Sequence, residues 1–140
     1  MSYAVSYLLA FVIFTAIDVA WLSTVGAAMF RNALGDMLLS SFRMGPAIAF
    51  YLIYPVGLII FAINAGLKEQ SVATATLYGA LFGFFAYATY ELTNYATLRN
   101  WTFQLFAIDT LWGTFATAVA AGAVVFIAPY VLSALGISVR

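Results

Sequence analysis

Residues 3–25 read YAVSYLLAFVIFTAIDVAWLSTV, a run whose single charged side chain is Asp18. About 20 apolar residues in a helix cross the hydrocarbon core of a bilayer. The run therefore predicts a transmembrane helix, and one that carries an acid where an acid costs about 2.5–3.5 kcal/mol. Its core returns near the other end of the chain. FTAIDVAW at 14–21 is answered by LFAIDTLW at 105–112, with Ala-Ile-Asp-x-x-Trp common to both.

The rest of the composition fits the first run. Of 140 residues, 66% are hydrophobic and only 7% are charged, against about 25% charged in soluble domains. The net charge is zero and no basic patch is present, which argues against a nucleic-acid partner. Without cysteine or histidine the chain lacks disulfides, thiolates and the commonest haem and zinc ligand. No cofactor is evident, and its serines have no activating base for nucleophilic catalysis. Residues Met1–Val5 carry no Lys or Arg, and the apolar run after them is about twice a signal-peptide core. It is expected to stay in the membrane.

Spans are expected at about 3–25, 46–67, 71–98 and 103–132, all in one domain over residues 1–140. Pro46 suits a helix start, Pro55 should kink the second span and free a carbonyl, and Pro129 should bend or end the fourth. Short connections around Lys68 and Arg99–Trp101 imply antiparallel neighbours. The longer stretch Gly26–Gly45 sets Phe30, Leu34, Met37 and Leu38 at helical spacing among polar residues, as in a helix lying in the interface. The expected fold is an all-α integral membrane protein, a four-helix transmembrane bundle with a short interfacial amphipathic helix between the first and second spans. Arg31, Arg43 and Arg99 fall on one side, Lys68 and Arg140 on the other. That margin favours the long connection in the cytoplasm and the termini outside.

Counting from the expected helix ends at about 1.5 Å per residue, Asp18, Glu91 and Asp109 all sit roughly 10 Å below the same membrane face. Thr15, Asp18 and Trp21 align on the first helix. Tyr87, Tyr90, Glu91, Asn94 and Tyr95 share a face of the third, and Asp109, Trp112 and Gly113 a face of the fourth. Tyr51 and Tyr54 complete the wall from the second. With no Lys or Arg inside the membrane, such acids must turn inward to find partners. Two roles compete. As interhelical glue the acids would cap indole N–H groups and freed backbone; as a site they would line a ligand, proton or cation pocket. GALFG at 79–83 is a small-xxx-small pattern that lets helices approach closely, inside the bundle or between protomers. Trp101 and Tyr3 read as ordinary interface anchors.

The strings AIDVAWL, FRNALG, FYLIYPVGLIIFA, GALFGFFAYATYELTNYATLRNW and DTLWGTF, in this order and spacing over about Thr15–Ala118, resemble the bacterial membrane-protein family catalogued as domain of unknown function 2177. The matching positions include Asp18, Trp21, Arg31, Tyr51, Tyr54, Gly79, Gly83, Tyr87, Tyr90, Asn94, Trp112 and Gly113. Glu91 departs from it, standing where the family more often has Asp, as does the linker before Pro46. The resemblance implies a small four-helix protein of a bacterial inner membrane and supplies no reaction.

The expected function is an intramembrane pocket that binds, or converts by acid–base chemistry, a small apolar or lipid-like molecule. Its ligand-binding residues would be Asp18, Trp21, Tyr51, Tyr54, Tyr87, Tyr90, Glu91, Asn94, Asp109 and Trp112, with no metal. A proton- or cation-coupled carrier and a structural subunit of a larger membrane complex are the alternatives. The expected partners are membrane lipid and a small apolar ligand, with the chain a monomer or small homo-oligomer.

Overall fold

The computed structural model describes residues 3–137; Met1 and Arg140, used above, lie outside the described residues. All regular structure among these residues is helical, and four helical stretches are long and apolar enough to cross a membrane.

The first stretch starts as α1 (Tyr3–Trp21), widens into a π-helical turn at Leu22–Gly26 and continues as α2 (Ala27–Leu34). A 3-10 turn follows at Gly35–Met37. This corrects the sequence expectation: residues 27–34 prolong the first span instead of forming a separate interfacial helix, and Leu38 lies beyond the helix. The wide turn is possible because local hydroxyls take up the carbonyls it strands. Ser23 Oγ donates to Val19 O at 2.8 Å and Thr24 Oγ1 to Ala20 O at 2.7 Å. Gly26 matters here too, since a Cβ on it would stand 2.8 Å from the Trp21 Nε1. What stops the helix is Gly35, whose φ of 51° suits a residue without a side chain.

The second stretch comprises α3 (Met44–Leu58), another π turn at Ile59–Ile63, and α4 (Asn64–Glu69). Pro55 lies within α3 and does not end it. It cannot serve the Tyr51 carbonyl. One residue on, the Tyr7 hydroxyl of α1 donates to Leu52 O at 3.0 Å, which ties the first span to the second beside the weak point.

Helices α5 (Val72–Thr97) and α6 (Phe103–Ala134) form the central hairpin. Each starts at a hydroxyl cap: Ser71 Oγ accepts from Thr74 N and Thr102 Oγ1 from Leu105 N, both at 3.1 Å. Replacing Thr102 with alanine should lower stability by about 1 kcal/mol, read from reversible unfolding in mixed micelles, with the helical content unchanged. Pro129 sits inside α6, which runs on to Ala134.

Helix α6 is the axis of the fold, burying Ala116, Ala120, Ala121, Val124 and Ala128 against its neighbours. Small residues on both faces set the distance to α5. A Cβ at Gly79 would stand 2.9 Å from Thr117 O, and one at Gly83 would stand 2.5 Å from Gly113 O. GALFG therefore closes the bundle from within. Phe14, Leu58 and Ile63 fill the space where α1 and the second stretch meet this hairpin. The outer surface is apolar, with Leu8, Phe61, Phe85, Leu111 and Phe126 exposed, as a bilayer requires. Thr89, Thr93 and Thr97 lie on that surface with each hydroxyl bonded to the carbonyl four residues back, so none presents an open polar group to lipid.

Candidate functional site

The three acids fold into one region from three helices, but each ends in a different setting. Asp18, on α1, is 5% exposed. Its Oδ2 accepts the Tyr51 hydroxyl of α3 at 2.8 Å, and its Oδ1 accepts Trp112 Nε1–H of α6 at 3.2 Å. One carboxyl thus ties three spans together. Trp112 also stacks on Trp21 of α1, with ring centroids 4.5 Å apart and planes 9° from parallel. The echo of Ala-Ile-Asp-x-x-Trp has this meaning in space: antiparallel α1 and α6 stack their two tryptophans, and the α6 indole caps the α1 acid.

Glu91, on α5, is fully buried. Its Oε2 accepts Trp101 Nε1–H at 2.6 Å. Trp101 lies in the connection between α5 and α6 and is 7% exposed. The sequence reading of Trp101 as an ordinary interface anchor is corrected here. The indole turns inward because its N–H finds a carboxylate and its ring packs with Leu34 and Leu105, meeting Phe30 and Tyr90 edge-on. Glu91 Oε1 is buried and meets no N–H or O–H donor among the described residues. Asp109, on α6, is 7% exposed.

Asp109 faces a cavity of about 480 Å³, lined also by Asp18, Tyr54, Tyr87 and Tyr90, with Leu22, Phe30, Phe50 and Ala86 as apolar wall. The cavity is mostly apolar with a few convergent polar groups, the usual makeup of a small-molecule pocket. Tyr54 is held from behind, its hydroxyl 2.8 Å from Thr117 Oγ1. Tyr87 is wedged over Gly113, where any side chain would overlap its ring.

The predicted site residues therefore divide. Asp18, Tyr54, Tyr87, Tyr90 and Asp109 line the cavity. Tyr51 and Trp112 brace Asp18 from outside it and Trp21 stacks on Trp112, Glu91 is buried outside the lining, and Asn94 is half-buried on α5 away from it. The three acids do not converge as a metal-ligating group among the described residues, and the donors on Asp18 already occupy both its oxygens. Leu22, Phe30 and Phe50 escaped the sequence reading because apolar residues in apolar helices carry no signal of which cavity they line. Trp101 did carry one: an indole needs an acceptor when buried, and a short hairpin connection returns it toward Glu91.

The chain matches, over residues 3–126, the family described as predicted membrane protein (DUF2177), and it belongs to that family. The match extends beyond both ends of the motif-bearing region singled out in the sequence. No curated protein and no solved structure matches the chain. The family places the chain in a membrane and leaves the chemistry to the site itself.

Proposed function

We propose that this member of the family binds a small amphipathic molecule within the membrane, its polar end hydrogen-bonded at Asp109 and its apolar body against Phe30, Phe50 and Leu22. The observation that carries this reading is the cavity of about 480 Å³ with two buried acids and three tyrosines in an otherwise apolar wall. The acids have separate roles in it. Asp18 is the brace, both of its oxygens engaged by Tyr51 and Trp112. Asp109 faces the ligand, where its carboxyl can lend a proton to a bound acceptor or, ionised, take one from a bound donor. Such an exchange would permit acid–base conversion of the ligand as well as binding. The site would sit toward the cytoplasmic face of a bacterial inner membrane, the side bearing Arg31, Arg43 and Arg99.

Asp109→Asn tests this. Asparagine keeps the shape, so thermal unfolding should move by only a few degrees, a change on the order of 1 kcal/mol. Small molecules released from purified wild-type protein and from the variant are then compared by mass spectrometry. The expected result is a species stoichiometric with the wild type and depleted by about ten-fold in the variant. Equal recovery from both proteins would remove Asp109 from the binding site.

A further inference from the structure

The cavity does not end at Leu22 and Phe30. Both residues also line a second groove, of about 630 Å³, on the side of the first helix that faces the segment between Met37 and Arg43. Its floor is apolar, with Val19, Leu38, Leu39 and Phe42 among the lining residues, and it carries two guanidinium groups, Arg31 and Arg43. No acidic residue lines it; Asp36, which lies between the two arginines in sequence, is not part of the wall. The segment that closes the groove is unusual for a polar connection. It holds no helix beyond Met37, yet Leu39 is 57% exposed and Phe42 is 83% exposed. In a multi-pass membrane protein, exposed apolar side chains beside exposed arginines mark the depth where acyl chains meet headgroups.

From this placement we infer that the groove is a binding site for an anionic phospholipid, with the phosphate held by Arg31 and Arg43 and an acyl chain laid over Leu38 and Leu22. Guanidinium groups suit phosphate oxygens because they donate two parallel hydrogen bonds as well as charge. The apolar floor and the absence of any acid in the wall make a free inorganic anion or a cationic partner the poorer fit. Arg31 also sits in the last turn of α2, so its stem is anchored by a helix, while Arg43 immediately precedes α3. The two cations thus come from opposite ends of the connection and line one groove. The site adjoins the carboxyl cavity through two shared residues but does not depend on it, because the headgroup contacts lie on different side chains.

The test uses the full chain in neutral detergent, titrated with dioleoyl phosphatidylglycerol or dioleoyl phosphatidylcholine, with bound lipid counted by native mass spectrometry. The wild type should retain phosphatidylglycerol about ten-fold better than phosphatidylcholine. Arg31→Gln combined with Arg43→Gln should bring that ratio close to one. Both arginines are exposed, so the helical content and melting of the double variant should match the wild type. Lys68 lines a separate pocket with Tyr3 and Asn64 at the far end of the bundle, and Lys68→Gln should leave the preference intact. Asp109→Asn should leave it intact as well, which separates this inference from the cavity reading. Inorganic phosphate at the same concentration should not displace the lipid. A wild type indifferent to headgroup charge overturns the inference, as does a double variant that keeps the preference. Loss of the preference in Lys68→Gln would assign it to overall charge, and displacement by inorganic phosphate would leave only a free-anion site; either overturns it too.

Discussion

Gly83→Leu should prevent the bundle from closing. The new Cβ would stand 2.5 Å from Gly113 O and 2.7 Å from the Thr117 side chain, and neither can yield. Gly113 O is backbone in the middle of α6, and the Thr117 hydroxyl is already engaged with Tyr54. To accept a leucine, α5 would have to move off α6 along the contact that organises the whole fold. Overpacking a close-packed site costs about 1–3 kcal/mol when side chains can adjust. Here backbone blocks the adjustment, so the loss should reach or exceed the upper end of that range. Association of membrane helices relies on such close packing because lipid offers apolar side chains no less than a protein interior does. Unfolding in mixed micelles should show the loss directly. Gly45→Leu is the matched control: nothing stands within 4 Å of a Cβ there, and stability should change little. If Gly83→Leu melted like the control, the close contact between α5 and α6 would not exist.

The second large effect is expected at Trp101. Trp101→Phe keeps most of the ring packing against Leu34 and Leu105 but removes the indole N–H that bonds Glu91 Oε2. Glu91 Oε1 already meets no N–H or O–H donor. The variant would leave the whole carboxyl without a donor, in a position with no solvent exposure. Hydrogen bonds to charged groups contribute about 1.5–3 kcal/mol, and the variant should lose an amount in that range. Glu91→Gln gives the contrasting result. Its carbonyl still accepts from Trp101, so its cost should be the smaller of the two. Unfolding both variants side by side checks the assignment, because their order, with Trp101→Phe the more damaging, is specific to this hydrogen bond. Equal losses would mean that ring packing alone holds the connection.

The acids illustrate what a linear reading can and cannot reach. The expectation that they share one depth came from counting residues to the ends of three helices, since a helix rises by a fixed distance per residue and a bilayer fixes where the ends fall. Their division of labour did not. Asp18 braces, Asp109 faces the cavity and Glu91 anchors a connection, yet all three look alike in sequence, each an acid among apolar and aromatic neighbours. What separates them is which donors arrive from other helices: Tyr51 and Trp112 for Asp18, Trp101 for Glu91. Donors that lie 10 to 94 positions away are not a local property of the chain.

The interfacial helix failed for a related reason. Amphipathic spacing at residues 27–34 signals a helix with one apolar face, and such a helix exists. Whether it breaks from the span before it depends on whether the turn at Leu22–Gly26 can stay helical. The hydroxyls of Ser23 and Thr24 and the indole packed over Gly26 decide that, and periodicity does not register them.

By itself, then, the sequence determined the solvent and the element type. Long runs of apolar residues can satisfy their backbone groups in lipid only as helices, and small residues at four-residue spacing let two of those helices touch. Only the tertiary structure decided which polar group answers which, and where a cavity remains. Those outcomes depend on the rotation of each helix about its axis, and in a chain that is apolar on nearly every face the sequence pattern constrains that rotation only weakly.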